Sequence, residues 1–360
     1  MKFMRRKLCC DNSEGILSGM IPQWKSLSRR ELARLLFSAA FGLKFISHAK
    51  AEPAILLQVD RLDKENPAGG AANARRQYRA DAVILFLGMP IFRRPSVGGG
   101  YAVVDESAAQ GVKRITLQFA AGSQPERAHG LNRIGFMKEV VVERETAPAE
   151  GAYFGFMASS PEESFDQAKR SLGPPEKNTM PYTAIDGANL AGKTRSALSY
   201  FHLPANYGWS QLRTLIDTAR TSCHVGKPAW RETSWPTTQV GPMPLTFLYA
   251  LNRAIRRPEA TSEATYVYSE KKYTLQIQKV ADEKQGQAFL QRGLAKQAAH
   301  VIKVKGKITN HANGGQTVFQ LWMEETGQLS LPLRLEFQPR SFLRLAFEYD
   351  PKMTDGLASA

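Results

Sequence analysis

One stretch of the sequence matches a phosphate-binding motif to the letter. Residues 187–194, GANLAGKT, fit the pattern G-x-x-x-x-G-K-[ST], in which backbone N–H groups cradle phosphates while the Lys and Thr bind phosphate and Mg²⁺. The flanking residues disagree with this chemistry. Pro181 and several polar residues interrupt the preceding run, and the following residues alternate like a strand up to Pro204, where a phosphate loop needs a helix. Nucleotide binding through residues 187–194 is therefore a remote alternative to a surface turn.

The His and Cys residues are poorly spaced for a metal site or a nucleophile. Beyond residue 51 the His residues are His129, His202, His224, His300 and His311. No two of them are three to five residues apart, and the adjacent side chains of Cys223 and His224 point in different directions, which makes a chelate awkward. Ser123 lacks the second Gly of a nucleophile elbow. We predict no metal, no cofactor and no catalytic residue, although a partnership of Cys223 with a distant His or Asp stays open.

Close carboxylates and one polar loop are the remaining candidates for catalysis. The pairs Glu143/Glu145 and Glu324/Glu325 fit solvated charges at a strand end and in a turn, or an acid and a base. Residues 122–133, GSQPERAHGLNR, concentrate polar, charged and Gly residues between two predicted strands. Such a loop could present a binding site or could simply connect a long hairpin. An enzyme that acts on a cell-envelope polymer is the alternative function that these groups would support.

The first 51 residues have the three parts of an export signal. Residues 28–30, SRR, give a basic entry, residues 32–46 a mostly apolar span, and residues 49–51, AKA, a small-x-small cleavage site. The paired Arg residues resemble the twin-arginine type, although a general secretory signal stays open. Two basic residues interrupt the apolar span and disfavour a membrane-spanning helix. The sequence therefore predicts a signal over residues 1–51 and export to the periplasm or beyond; an amphipathic N-terminal helix is the alternative.

Removal of this signal would change both the charge and the Cys content. Ten of the 48 Lys and Arg residues and three of the 33 Asp and Glu residues lie in residues 1–51, so the net charge would fall from +15 to +8. The remaining basic residues are scattered and match no nucleic-acid module, so we expect no nucleic-acid partner. An anionic lipid or wall polymer stays open as a partner. Cys223 would be the one remaining Cys, which excludes an intramolecular disulfide.

The elements that would position these groups are mostly strands. Apolar residues alternate over residues 331–337 and again over residues 342–349, which predicts an antiparallel pair with one dry face. We expect a mainly β (α+β) fold of curved antiparallel sheets with a few packed helices. A helix at residues 245–255 is the element expected to cover the dry face.

Composition divides the predicted mature chain into two closely packed lobes. Residues 52–172 form a β-rich N-terminal lobe, residues 173–195 a turn-rich linker, and residues 196–350 an antiparallel sheet with helices. Within the first lobe, residues 55–59 are predicted as a strand and residues 63–77 as a loop.

Several short segments within residues 242–349 carry a family resemblance. They are residues 244–251 (PLTFLYAL), 273–277 (YTLQI), 319–322 (FQLW) and 331–334 (LPLR). With these segments, about a third of the chain resembles the C-terminal part of a family of exported bacterial envelope proteins known only as a domain of unknown function. That family is similar to lipoprotein-carrier-like folds, in which a curved antiparallel sheet wraps helices around an apolar groove. The resemblance implies no catalytic residues.

The resulting interpretation is an exported envelope protein that binds rather than catalyses. We expect an apolar or lipid-like ligand on a curved sheet, envelope components as partners, and no transmembrane segment after signal cleavage. The ligand-binding residues cannot be named from the sequence.

Overall fold

The structure is a computed structural model that describes most of the chain beyond residue 56. The described residues are 57–65, 71–86, 89–128, 134–145, 149–158, 177–190, 193–225, 230–234, 246–268, 271–325, 331–340 and 342–353. The predicted signal at residues 1–51 and a predicted helix at residues 160–172 lie outside them. Export therefore stays a prediction.

Fourteen antiparallel strands among the described residues form one sheet. They are β1 (Ala71–Phe86), β2 (Met89–Ala109), β3 (Val112–Ser123), β4 (Ile134–Arg144), β5 (Glu150–Ala158), β6 (Thr179–Leu190), β7 (Lys193–Pro204), β8 (Trp230–Ser234), β9 (Thr261–Tyr268), β10 (Lys271–Ala281), β11 (Val301–Asn310), β12 (Gln316–Glu324), β13 (Arg334–Arg340) and β14 (Leu343–Tyr349). Their spatial order is β8-β7-β6-β5-β4-β3-β2-β1-β14-β13-β12-β11-β10-β9. The predicted fold class, mainly β with antiparallel strands and a few helices, is confirmed.

Two meanders, β1–β8 and β9–β14, make up the sheet, and β1 joins them by pairing with β14. The register runs from Tyr78 opposite Tyr349 to Ile84 opposite Leu343. Strand β6 lies inside residues 173–195, so most of the segment predicted as a linker is a strand. The division into lobes at residues 52–172 and 196–350 stays a prediction.

Four helices accompany the sheet in the described part of the chain. They are α1 (Gln58–Glu65), α2 (Leu212–Val225), α3 (Phe247–Arg256) and α4 (Glu283–Gln291), with short 3₁₀ turns at Trp209–Gln211 and Ala298–His300. The helix predicted at residues 245–255 is confirmed as α3 with slightly shifted ends. Within the described ranges, no helix is both long and apolar enough to cross a bilayer.

The predictions of a strand at residues 55–59 and of a loop at residues 63–77 are wrong over Gln58–Glu65 and from Ala71 onwards, while residues 55–56 and 66–70 lie outside the described part. Helix α1 begins at Gln58, and β1 begins at Ala71. Val59 and Leu62 are both buried and lie three residues apart, which is the spacing of one face of a helix. An apolar run of only five residues fits a helix and a strand equally well, so the sequence pattern did not reveal this helix.

The helices lie on opposite faces of the first meander. Helices α1 and α2 pack into a core that includes Phe154 and Tyr182. Helix α3 packs on the other face, and it also contacts β9 and β10 of the second meander. Since strands of both meanders contact the same helix, the sheet curves around α3.

The dry face predicted for β13 and β14 is confirmed in its central part. Leu335 lies opposite Phe347, and these side chains pack on the side of α3. Strand β13 begins at Arg334 rather than at residue 331, because Leu333 turns to the other side and packs with Trp322. On that side the charged residues are not simply solvated, since the carboxylate of Glu348 lies 2.7 Å from the Arg292 guanidinium.

Candidate functional site

An apolar cavity of about 120 Å³ lies between α3 and the sheet. Its walls come from both meanders, which bring together side chains far apart in sequence. The lining residues are Tyr78, Ala102, Val103, Val104, Leu117, Gln118, Phe119, Phe247, Leu248, Leu251, Asn252, Ile255, Leu321, Met323, Leu331, Pro332, Leu335 and Phe347. Of these side chains, all but those of Gln118 and Asn252 are apolar or aromatic. The cavity can therefore take an apolar ligand, because the transfer of apolar surface from water into apolar surroundings is favourable.

Helix α3 contributes a stripe of side chains to the cavity. Phe247, Leu251 and Ile255 are four residues apart and so lie on one face of the helix. These three side chains are only partly buried, whereas Ala250 and Ala254 are fully buried against the second meander. The cavity therefore opens in part towards solvent beside the helix.

A buried carboxylate on the sheet fixes the N-terminus of α3. Glu139, on β4, is fully buried. It accepts hydrogen bonds from the backbone N–H groups of Thr246 at 3.0 Å and Tyr249 at 3.1 Å, and from the Thr246 hydroxyl. Free N–H groups at a helix N-terminus carry partial positive charge, which stabilises an anion there. Glu139 therefore holds the start of the helix over the cavity.

The C-terminus of α3 is held by three further contacts. The Ser262 hydroxyl donates to the Ala254 carbonyl at 3.0 Å, and the Lys279 ammonium donates to the Ile255 carbonyl at 3.4 Å. The Arg256 guanidinium lies 2.5 Å from the Glu106 carboxylate. Both ends of α3 are therefore fixed to the sheet, and the middle of the helix covers the cavity.

Tyr78 and Arg76, on β1, fix the opposite wall. The Tyr78 hydroxyl donates to the Pro332 carbonyl at 2.9 Å, and the Arg76 guanidinium donates to the Leu331 carbonyl. Burial raises the pKa of the Tyr78 hydroxyl well above its ordinary value, so it stays a neutral donor. The segment before β13 is thereby held against β1 at the edge of the cavity.

The residues of the phosphate-loop motif form a β-hairpin. Asn189 pairs with Thr194 and Leu190 with Lys193, so Lys193 begins strand β7 instead of a helix. A phosphate loop needs a helix N-terminus directly after the Lys, and the nucleotide-binding alternative is therefore wrong. A Cβ atom on Gly187 would lie 2.3 Å from Cζ of Tyr153, so this Gly makes room for an aromatic ring.

The predicted nucleophile candidate Cys223 is buried. Burial raises the pKa of its thiol to about 12, which leaves almost no thiolate at neutral pH. His224 follows Cys223 in α2, and the other described His residues lie on other elements: His202 is on β7, His300 is in a 3₁₀ turn, and His311 forms a hydrogen bond with Thr274 at 2.7 Å. Across the described ranges, no three His, Cys, Asp or Glu side chains are grouped to hold a metal ion.

Two of the four candidate carboxylates have structural partners, and the other two, Glu145 and Glu325, are exposed. Glu143 accepts a hydrogen bond from the Tyr249 hydroxyl, and Glu324 accepts the backbone N–H of Lys296. Glu145 and Glu143 also border a depression beside the β2–β3 turn. Of the loop 122–133, the first two residues belong to β3 and residues 129–133 lie outside the described part.

Sequence reasoning missed Glu139, although a signal for it exists. Glu139 stands between Met137 and Val141 on the same face of β4, and both neighbours are apolar. A carboxylate within an apolar strand face is costly unless it is hydrogen-bonded, so such a residue indicates a buried partner.

No protein-family model matches the sequence. No curated protein matches it. Among solved structures, the chain is similar to a crystal structure of a β-barrel-like protein of the domain of unknown function DUF1849 from Brucella abortus. The likeness covers 78% of this chain and 97% of that chain, at 8% identity and a TM-score of 0.35. The neighbour is thus a β-barrel-like protein of unknown function.

Proposed function

We propose that the protein binds an apolar or lipid-like ligand whose apolar group enters the cavity beneath α3. The supporting observation is the composition of the walls, which are apolar or aromatic apart from Gln118 and Asn252. Ligand sites of this kind combine apolar walls with a few polar groups that orient the ligand. Asn252 lies on α3 beside the apolar stripe and is the polar group best placed to meet a ligand's polar end.

The volume limits what the cavity can hold. About 120 Å³ is slightly less than the roughly 150 Å³ of an apolar cavity that takes benzene. The cavity therefore accommodates one ring or a short alkyl segment, and the rest of a longer ligand must lie outside it.

An apolar strip on β1 and β14 offers a place for that remainder. Ala82 pairs with Leu345 and Ile84 with Leu343, and paired residues point to the same face. Counting by twos along β14, this is the face of the cavity residue Phe347. All four side chains of the strip are partly exposed. A chain that leaves the cavity past Phe347 would therefore follow them.

Binding accounts for the site better than catalysis because the buried carboxylates are engaged in holding helices and turns. Glu139 holds α3, and Asp186 accepts the backbone N–H of Gln58 at the start of α1 at 3.2 Å. Glu324 accepts a backbone N–H of the turn before β11. Groups committed in this way are poor acids or bases for an external substrate.

The compartment is part of the proposal. The predicted signal at residues 1–51 and the resemblance of residues 242–349 to exported envelope proteins both support export. An apolar ligand in the cell envelope would need a protein that shields it from water.

The proposal is tested by titrating the protein with N-phenyl-1-naphthylamine, a neutral apolar fluorophore. We expect saturable binding of about one probe per chain, which Leu251→Trp abolishes because the larger side chain fills the cavity. Leu290→Trp is the matched control, since Leu290 lies on α4 and is 40% exposed. Fatty acids that displace the probe would identify alkyl chains as ligands.

Equal binding by the wild type and Leu251→Trp would overturn the proposal, provided that thermal unfolding shows both proteins folded. Loss of binding in the Leu290→Trp control as well would place the probe elsewhere and also contradict it.

A further inference from the structure

The hairpin that joins β1 to β2 exposes an unusual number of large apolar side chains. Phe86 is 60% exposed, Met89 63%, Ile91 65% and Phe92 57%, and Phe342, in the neighbouring turn between β13 and β14, is 56% exposed. Within the described ranges only nine large apolar side chains are exposed, so more than half of them lie at this one end of the sheet. Exposed apolar groups that cluster in this way mark an interaction surface.

This hairpin tip, Phe86 and residues 89–92 with Phe342, lies at one end of the sheet. Strand β14 ends its pairing with β1 at Leu343, opposite Ile84. Strand β3 pairs with β2 only from Gly98 onwards. Residues 89–92 therefore have no β3 neighbour, and the tip lies beside the β13–β14 turn, where the Leu85 backbone N–H donates to the Phe342 carbonyl at 2.8 Å. The tip is thus a narrow end of the sheet that offers no broad flat face.

Positive charge surrounds the base of the tip. Arg93 and Arg94 follow Phe92, and Arg344 lies two residues beyond Phe342. The sequence carries no Asp or Glu between Asp81 and Asp105. The carboxylate of Asp81 lies 2.5 Å from Arg93, but its side chain is only 2% exposed, whereas that of Arg93 is 56% exposed. The charge that faces outward at the base is therefore cationic.

The carboxylate opposite Arg344 follows the same pattern. Glu336 lies 3.5 Å from the Arg344 guanidinium, with 11% of its side chain exposed against 34% of the Arg side chain. Asp81 and Glu336 thus lie beneath the cations that they hold. Aromatic and aliphatic side chains in front of a cationic base match the two layers of an anionic bilayer, acyl boundary and phosphate headgroups.

We propose that the hairpin tip docks on an anionic lipid bilayer, with Phe86, Ile91 and Phe92 in the acyl boundary and Arg93 and Arg94 at the headgroups. This inference does not depend on ligand binding in the cavity. The two are separable because Leu251→Trp changes the cavity and leaves the tip intact.

The test places an environment-sensitive fluorophore on the tip. Ile91→Cys is labelled with nitrobenzoxadiazole in a full-length chain that also carries Cys9→Ser and Cys10→Ser. Val280→Cys, on β10, is the matched control because Val280 is 41% exposed, and its row of paired residues runs through Lys303, Trp322 and Arg334 to Glu348, at the other end of the sheet. We expect vesicles of phosphatidylcholine with phosphatidylglycerol to brighten and blue-shift the probe at residue 91 but not the probe at residue 280. Pure phosphatidylcholine vesicles should give a weaker response.

A second measurement separates the contribution of the cationic side chains to vesicle binding from that of the apolar side chains. In vesicle sedimentation we expect Met89→Ser/Phe92→Ser to bind at least about tenfold more weakly than the wild type, and Arg94→Gln to weaken binding only when phosphatidylglycerol is present. Circular dichroism verifies that the variants are folded.

Two results would overturn the proposal. One is a probe at residue 91 that responds no more than the probe at residue 280. The other is a response at residue 91 that depends on protein concentration without vesicles, which would make the tip a contact between two copies of the chain.

Discussion

The carboxylate of Glu139 on β4 accepts the backbone N–H of Tyr249 on α3 at a distance of 3.1 Å. These residues are 110 positions apart in the sequence, and both are fully buried. The bond links the first meander to the helix that covers the cavity, so a buried strand carboxylate holds the N-terminus of α3.

Replacement of Glu139 by Ala should therefore destabilise the protein strongly. The change leaves the N–H groups of Thr246 and Tyr249 buried without an acceptor, and we expect a loss of about 2 to 4 kcal/mol in the free energy of unfolding. Glu139→Gln retains one acceptor oxygen and should cost less. Denaturant unfolding measures both values, with Glu145→Ala, an exposed residue just after β4, as the control. A loss of less than about 0.5 kcal/mol for Glu139→Ala would contradict this role.

The stability of the protein should depend on pH through Asp186. Burial raises the pKa of this carboxyl from 3.8 to about 7, although the backbone N–H of Gln58 and the charge of Arg195 act in the opposite direction. The folded state therefore holds the proton more tightly than the unfolded chain does. This contribution to stability is complete below about pH 4 and is lost as the pH rises through about 7, with a total of about 4 kcal/mol.

Chemical unfolding of the wild type and of Asp186→Asn between pH 5 and pH 8 measures this effect. The neutral Asn side chain cannot titrate, so the variant should lose less stability than the wild type over this interval. Parallel pH profiles for the two proteins would show that Asp186 does not titrate there.

Gly187 is predicted to be required for packing rather than for phosphate binding. Its ideal Cβ would lie 2.3 Å from Cζ of the Tyr153 ring, so Gly187→Ala should lower the free energy of unfolding by about 1 to 3 kcal/mol through overpacking. Gly135→Ala is the matched control, because the nearest atom to its Cβ would be 3.7 Å away. Thermal unfolding compares the two variants. Equal melting temperatures would show that the ring of Tyr153 moves aside freely.

The thiol of Cys223 should be inert in the folded protein. A rise of its pKa from 9.0 to about 12 lowers the thiolate fraction near pH 8 about a thousandfold. In a Cys9→Ser/Cys10→Ser background, maleimide labelling should be very slow in buffer and fast in denaturant. Rapid labelling of the native protein would mean that the α2 side of the core opens readily.

The features of this structure that the sequence predicts are those set by periodicity within a few residues. The alternation of Leu343 and Leu345 on β14 and the helical spacing of Phe247 and Leu251 on α3 are periodic within a few residues, and the structure confirms both elements. Helix α1 was not predictable from its spacing, because its apolar residues are too few to distinguish a helix from a strand. The match of residues 187–194 to the phosphate-loop motif was misleading, because the motif specifies residue types but not the secondary structure that follows them.

The candidate site depends on contacts that no local pattern contains. Tyr78 and Pro332 meet across 254 positions, and the cavity exists only because β1 pairs with β14. Long-range pairing of this kind follows from how the whole chain closes and not from the preference of either strand. The sequence could predict that the dry face of β14 needs a cover, and it could indicate α3, but it could not locate an empty volume between them.

The pairing of β1 with β14 also has a consequence for how the protein is made. The ribosome produces β1 before every other strand of the described sheet, and it produces the partner residues 343–349 after the other thirteen strands. Throughout that interval one edge of β1, including Ala80 and Ala82, has no native partner and could pair with another nascent chain. Completion of the sheet is therefore delayed until the last of its fourteen described strands has been translated, which makes a chaperone that shields this strand edge valuable during synthesis.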